Sequence, residues 1–228
     1  MTTYYKFDSS KMSLAETWRI SSNPAVFSMQ LFRRLFGLNP SPRFGYALDR
    51  IQIVEWEQLP EKARASLTPI VTECEQSEMR LVFCYTIAYI GRQEGYAAAM
   101  LSRDLTTWGG AVWTKTQIDG VVRIRTHCQF VSEREDGQVL ITSDNPNHLD
   151  SPEWAESVHR PHTSVRELFG EHVRRIRAAG LGRIRTLEDQ NLRAFIIRFM
   201  GRTHKHLIQR GIWVPMSDAE IVALQRNS

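Results

Sequence analysis

Between Met79 and Ser143 the chain reads as consecutive strands joined by tight turns, and this block limits the fold more than any other stretch. Met79, Leu81, Phe83, Tyr85, Ile87 and Tyr89 fall on one side of a two-residue period, with Arg80, Val82, Cys84, Thr86 and Ala88 on the other. A period of two over this length is the pattern of a strand, here with both faces at least partly covered. Residues 91–95 read as a turn, 96–101 as a second strand, and 106–116 as a third, interrupted by Gly109-Gly110. Paired glycines inside a strand suggest a bulge or a close backbone approach. Asp119-Gly120 is a two-residue hairpin signal. Residues 121–131 then alternate, with Val122, Ile124, Cys128 and Phe130 inward and Arg123, Arg125, His127 and Gln129 outward. Asp136-Gly137 marks another turn before a fifth strand over 138–143. Strands this close in sequence pair with their neighbours and make a meander.

The flanks carry helical signals. Residues 1–11 read as a loose or strand-like arm, and 14–20 are ambiguous. Asn23-Pro24 opens a helix, Val26, Phe27, Leu31, Leu35 and Phe36 keep helical spacing, and Gly37 closes it. Its apolar face is expected to lie on the sheet rather than in a membrane interface. A proline-bearing linker follows at 38–42, then a strand at 50–56. The next helix starts at Leu59-Pro60-Glu61, with Leu67, Ile70, Val71 and Cys74 as its stripe; Pro69 inside it should kink or split it. After an irregular 144–162, Ser164 and Glu167 form a capping box for a helix with Val165, Leu168, Phe169, Val173 and Ile176 inward, ending at Gly180. Thr186 with Asp189 resembles a second box, before a helix that buries Leu192, Phe195, Ile196, Phe199 and Leu207. Ser217 to Glu220 opens a last short helix. The expected fold class is α+β, a single domain over 1–228. Its antiparallel meander sheet has five to six strands, with helices packed on one face, including a C-terminal helix pair. Within it, 1–44 is an arm with an amphipathic helix, 45–158 the sheet with one helix, and 159–228 the basic helices.

The order of several short motifs resembles that of a set of uncharacterised bacterial proteins. These are Leu59-Pro60, the turn at 104–107, Asp136 through Thr142, Ser143-Asp144-Asn145-Pro146, His159-Arg160 with the Ser164 helix, and Gln209 through Ser217. The resemblance covers roughly residue 59 onward. It implies a shared fold and transfers no catalytic residue.

Composition bounds function more than it names it. Net charge is +4, yet the stretch from Arg160 to Ile212 holds twelve Lys/Arg against four Asp/Glu. Such asymmetry fits either an anionic partner or helix surface folded over an acidic body. The three cysteines, Cys74, Cys84 and Cys128, form no disulfide framework, which with the lack of a leader-like start points to the cytoplasm. No apolar run is long enough for a transmembrane segment. No P-loop, dinucleotide fingerprint or serine-hydrolase elbow is present, and no catalytic residue, metal or cofactor is expected. His159 with His162 and His204 with His206 could hold a metal only by meeting in space, since neither pair has helical i, i+4 spacing. His172 is expected to be packed. His127 beside Cys128 lies on the opposite face of a strand and cannot activate it. Arg166, Arg174, Arg177 and Arg202, with Arg175, Arg183 and Arg185, could bind phosphate, though no nucleic-acid-binding motif accompanies them. Strand and helix order also matches folds in which a curved sheet wraps a helix around an apolar pocket. Phe83, Tyr85, Trp108, Trp113 and Phe130 would line such a pocket for a small apolar ligand. The reading that leads is a non-enzymatic module working through protein contacts, by self-association or a protein partner, with Trp18, Phe27, Phe32 and Trp213 as contact candidates. The small-ligand carrier comes second and the anionic-partner binder, nucleic acid or membrane surface, third.

Overall fold

Nine strands join in one sheet: β1 (Tyr4–Phe7), β2 (Phe44–Val54), β3 (Met79–Gly91), β4 (Gln93–Ser102), β5 (Trp108–Ile118), β6 (Val121–Glu133), β7 (Val139–Ser143), β8 (Ala155–His159) and β9 (Trp213–Pro215). The structure is a computed structural model. It describes residues 3–21, 23–37, 44–118, 121–146, 148–180 and 184–226, without the side chains of 48–50 and 118. The expected linker at 38–42, the Asp119-Gly120 turn, Leu181, Gly182 and Arg183 lie outside the described residues. Among the described residues, six α-helices accompany the sheet: α1 (Leu14–Ile20), α2 (Pro24–Leu35), α3 (Glu61–Gln76), α4 (Val165–Ala179), α5 (Asp189–Gln209) and α6 (Asp218–Arg226).

The fold class is α+β, as the sequence implied, but the sheet is larger than five or six strands. Its order is β8-β7-β6-β5-β4-β3-β2-β1-β9, with an isolated bridge between Arg134 and Ile184. The meander from β2 to β7 is antiparallel throughout. β8 returns to pair in parallel with β7, and β9 pairs with β1. β1, β8 and β9 are three to five residues long, too short for alternation to register.

Helices cover both faces rather than one. In β4, every residue from Ala97 to Leu101 is fully buried. Ala98 and Met100 pack with Ala63, Leu67, Val71 and Cys74 of α3 and with Val165 and Leu168 of α4. Ala97, Ala99 and Leu101 pack instead with Leu192, Phe195, Ile196 and Phe199 of α5. The C-terminal helices α4 and α5 are therefore not a packed pair, because the sheet lies between them. An uninterrupted apolar run in a central strand is the signature of cover on both sides. β3 adds a twist to the reading. A register shift between Leu81 and Phe83 leaves Leu81 on the α3 face and turns Phe83, Tyr85 and Ile87 to the α5 face. A single inserted residue reverses the parity of all that follows.

No such bulge occurs at Gly109-Gly110, where the ladders to β4 and β6 continue unbroken. The glycines serve close packing: a Cβ on Gly109 would sit 2.9 Å from the Met79 Cε. Pro69 does not split α3, which runs as one helix from Glu61 to Gln76. Four buried side chains, Ala63, Leu67, Val71 and Cys74, hold it on the sheet against the loss of one backbone bond. The Ser164–Glu167 capping box and the positive φ of Gly180 bound α4 as expected. The Thr186–Asp189 box is not formed: α5 begins after Glu188, without a side-chain cap.

Candidate interaction site

His172 on α4 is fully buried, with Nε2 3.0 Å from Ser132 Oγ and Nδ1 2.9 Å from Thr142 Oγ1. Ser132 donates its proton to the Thr106 carbonyl at 2.8 Å, so its Oγ accepts from Nε2–H of the imidazole. Thr142 Oγ1 accepts from Arg175 at 2.9 Å and donates to Nδ1. The serine proton thus points away from the only base beside it, the reverse of nucleophile activation. This constellation pins α4 to the sheet. Burial, with Arg175 nearby, pushes the His172 pKa down to about 3.

The other histidines are engaged separately. His159 stacks on His148 with ring centroids 3.6 Å apart, and His204 meets Tyr46 edge-on at 5.0 Å. The pairs His159/His162 and His204/His206 do not assemble, and among the described residues no three His, Cys, Asp or Glu are placed to hold a metal ion. All three cysteines are buried free thiols on the α3 face. Burial raises the Cys84 thiol to about 12, and a hydrogen bond from the Cys128 thiol to Cys74, with burial, raises Cys128 well above its ordinary value. Neither is a thiolate at neutral pH.

The five aromatics read as one pocket lining are divided by the sheet. Phe83, Tyr85 and Trp108 lie on the α5 face; Trp113 and Phe130 lie on the α3 face. Trp108 meets Phe195 and Phe199 edge-on, and Phe130 packs against Phe169. They are core to two different helices and do not surround one space. The arginines divide likewise. Arg166 and Arg174 line an open depression beside the start of α4, where Arg174 pairs with Glu171 at 2.7 Å. Arg177 lines a separate depression with Glu78 and Asp104. Arg202 is on the other side of the sheet, over the Trp154 ring at 4.1 Å and 3.4 Å from the buried Glu133, which also takes Arg198 at 2.7 Å. Much of the C-terminal positive charge is thus spent within the fold.

α1 and α2 carry a group of the exposed apolar residues. Their foundation is Glu16, fully buried although charged. Ser13 N–H donates to it at 2.7 Å in a capping box, Asp150 N–H at 2.7 Å, and Arg210 through both Nη atoms at 2.7 and 2.6 Å. Burial alone would raise this carboxyl, but the Arg210 guanidinium and the two backbone donors outweigh it and hold it at about 2. Arg19 extends the clamp by pairing with Asp150. On this base α2 leans against α1, with Trp18 and Phe27 edge-on at 5.2 Å, and Arg34 donates to the Met12 carbonyl at 2.8 Å. α2 buries no residue fully, contrary to the expectation that it packs on the sheet. Val26, Phe27 and Leu31 half-bury toward α1, while Phe32, Leu35 and Phe36 are 55, 74 and 64 % exposed. Trp18 of α1 is 55 % exposed as well, and α2 carries no carboxylate. Of the four contact candidates, Trp213 instead packs within the fold against Phe7 and Tyr46. The other three, Trp18, Phe27 and Phe32, fall on α1 and α2, whereas Leu35 and Phe36, expected to face inward, are exposed. The Ser13-x-x-Glu16 spacing was the available signal for α1.

No family model, curated protein or solved structure matches this chain. Among the described residues, no helix is long and apolar enough to cross a membrane.

Proposed function

We propose that the protein is a non-enzymatic assembly module that works through protein contacts, with the apolar surface of α1 and α2 as its docking face. The observation that carries this reading is the exposure of Phe32, Leu35 and Phe36 on α2 and of Trp18 on α1, the helix that the buried Glu16–Arg210 pair anchors. Exposed apolar side chains on a seated support are costly in water and are relieved by a partner of like character. The occupant proposed is a second copy, because the same stripe then supplies both sides of an isologous contact. Native mass spectrometry and sedimentation of the wild type and of the double variant Phe32→Asp, Leu35→Asp test this. A dimer that the variant loses supports it. A wild type that stays monomeric at about 100 times typical assay concentration overturns it. Arg33 and Arg34 near the stripe give the membrane surface a specific claim as second reading. A monomer that sediments with anionic vesicles, and loses this with the same variant, would select that reading.

A further inference from the structure

β6 is two strands in one. From Gln129 to Glu133 it is paired on both sides, to β5 and to β7. From Val121 to His127 it is paired to β5 alone. The ladder on the outer side stops at Cys128, whose N–H donates to Asp144 Oδ1 at 2.7 Å and whose carbonyl accepts from Asp144 N–H at 3.1 Å. Cys128 therefore directs its backbone groups away from β5. By the two-residue alternation, so do Thr126, Ile124 and Val122. Residues 121–126 are all exposed, and among the described residues nothing covers this edge. Charge, prolines or bulges usually blunt an edge of this kind. Here Val122 and Ile124 are 51 and 48 % exposed on one face, and Arg123 and Arg125 stand on the other, with no ion pair to any described residue.

The geometry points to this edge as a docking strand for an extended acidic peptide, which adds to the sheet in line with β7. The inference is independent of the α1–α2 surface. Three outward N–H and three outward C=O groups, on Val122, Ile124 and Thr126, offer the main-chain rungs. A peptide strand places alternate side chains on opposite faces, so residues across from Arg123 and Arg125 would be carboxylates and those across from Val122 and Ile124 apolar. A second copy fits worse. Antiparallel self-pairing centred on Ile124 sets Arg123 opposite Arg125, and centring on Arg123 sets it opposite itself; like charges across a ladder are destabilising.

The test is fluorescence polarisation with a labelled heptapeptide alternating glutamate and valine. Controls are the lysine–valine version and an acidic version N-methylated at the valines and, separately, at the glutamates. Ile124 directs its N–H outward, so Ile124→Pro removes an edge donor without removing a rung to β5. The expected result is salt-sensitive binding of the acidic peptide. It should weaken about tenfold with Ile124→Pro and with one of the two methylation patterns. Arg123→Glu with Arg125→Glu, which leaves the backbone intact, should exchange the preference to the lysine peptide. Equal binding of acidic and basic peptides, indifference to both methylation patterns, or no binding overturns the inference. So does a dimer that Ile124→Pro dissociates, which would make a second copy the occupant.

Discussion

α2 and α3 start alike and end differently. Each opens near a proline, Pro24 or Pro60, and each carries apolar residues at helical spacing. α3 sinks Ala63, Leu67, Val71 and Cys74 into the sheet, whereas α2 sinks none and rests on α1 and the turn at Ser9–Lys11. The difference lies in what each helix can reach. α3 leads within two residues into β3 and must lie along the strand block. α2 is fixed through α1, and α1 is fixed by a buried charge rather than by apolar burial. Amphipathic spacing therefore says that a helix has a face to cover, and connectivity says what covers it.

The largest effect should come from the seated helix. Leu67→Ala, at a position with no exposure, should cost about 2–5 kcal/mol in denaturant unfolding. A cost below 1 kcal/mol would mean that α3 is not anchored as described. Next is the base of the standing helices. Glu16→Gln leaves Arg210 facing a neutral group in a buried site and should lose about 3 kcal/mol, with hydrogen exchange rising first in α1 and α2. Because the folded Glu16 carboxyl lies near 2 against an ordinary 4.5, its contribution is complete above about pH 4.5 and is lost as pH falls toward 2. The Gln variant should lack that part of the acid transition.

A smaller effect separates α4, which adds a buried polar network to its apolar contacts, from α3, seated by apolar contacts. The unfolded chain binds a proton at His172 below about pH 6.5, and the folded chain resists it down to about 3. Stability should therefore fall as pH drops through that window. His172→Gln should reduce the slope by up to about 1.4 kcal/mol per pH unit. An unchanged slope would place the responsible histidine elsewhere; His127, His159 and His204, all lowered to about 4 by burial, are the alternatives. Smallest is the effect on stability of Phe32→Ser with Leu35→Ser. At such exposed positions it should stay within about 0.5 kcal/mol per site. A larger loss would show that α2 contributes to the core after all.

Much of the sheet was legible because its strands are long and their turns carry glycine and aspartate. The strands at 79–90 and 121–131 and the Ser164–Glu167 helix start needed only local periodicity and local hydrogen bonding. The inward reading of Val122 and Ile124 fails, because both stand about half exposed on the part of β6 that β7 does not reach. What escaped was set at a distance. Nothing in the alternation of 79–89 announces the parity change after Leu81, because the inserted residue is itself apolar. Nothing near Trp113 or Trp108 tells which helix each will meet. Glu16 with Arg210, and Ser132 with His172, are separated by 194 and 40 residues, and only the folded chain brings them together. The exposure of Leu35 and Phe36 escaped for the converse reason, since a helix with an apolar stripe is ordinarily assumed to have used it.

The position of β1 has a bearing on how the chain is made. β1 can add to β2 early in synthesis, but its other edge waits for β9, about 200 residues later. At roughly 5–20 residues per second, that is on the order of 10–40 s of growth with one strand open and Glu16 without its arginine. The apolar platform is therefore presented on a loosely held support until Arg210 and β9 arrive. A ribosome paused before Arg210 would display a different surface from the one the finished protein carries.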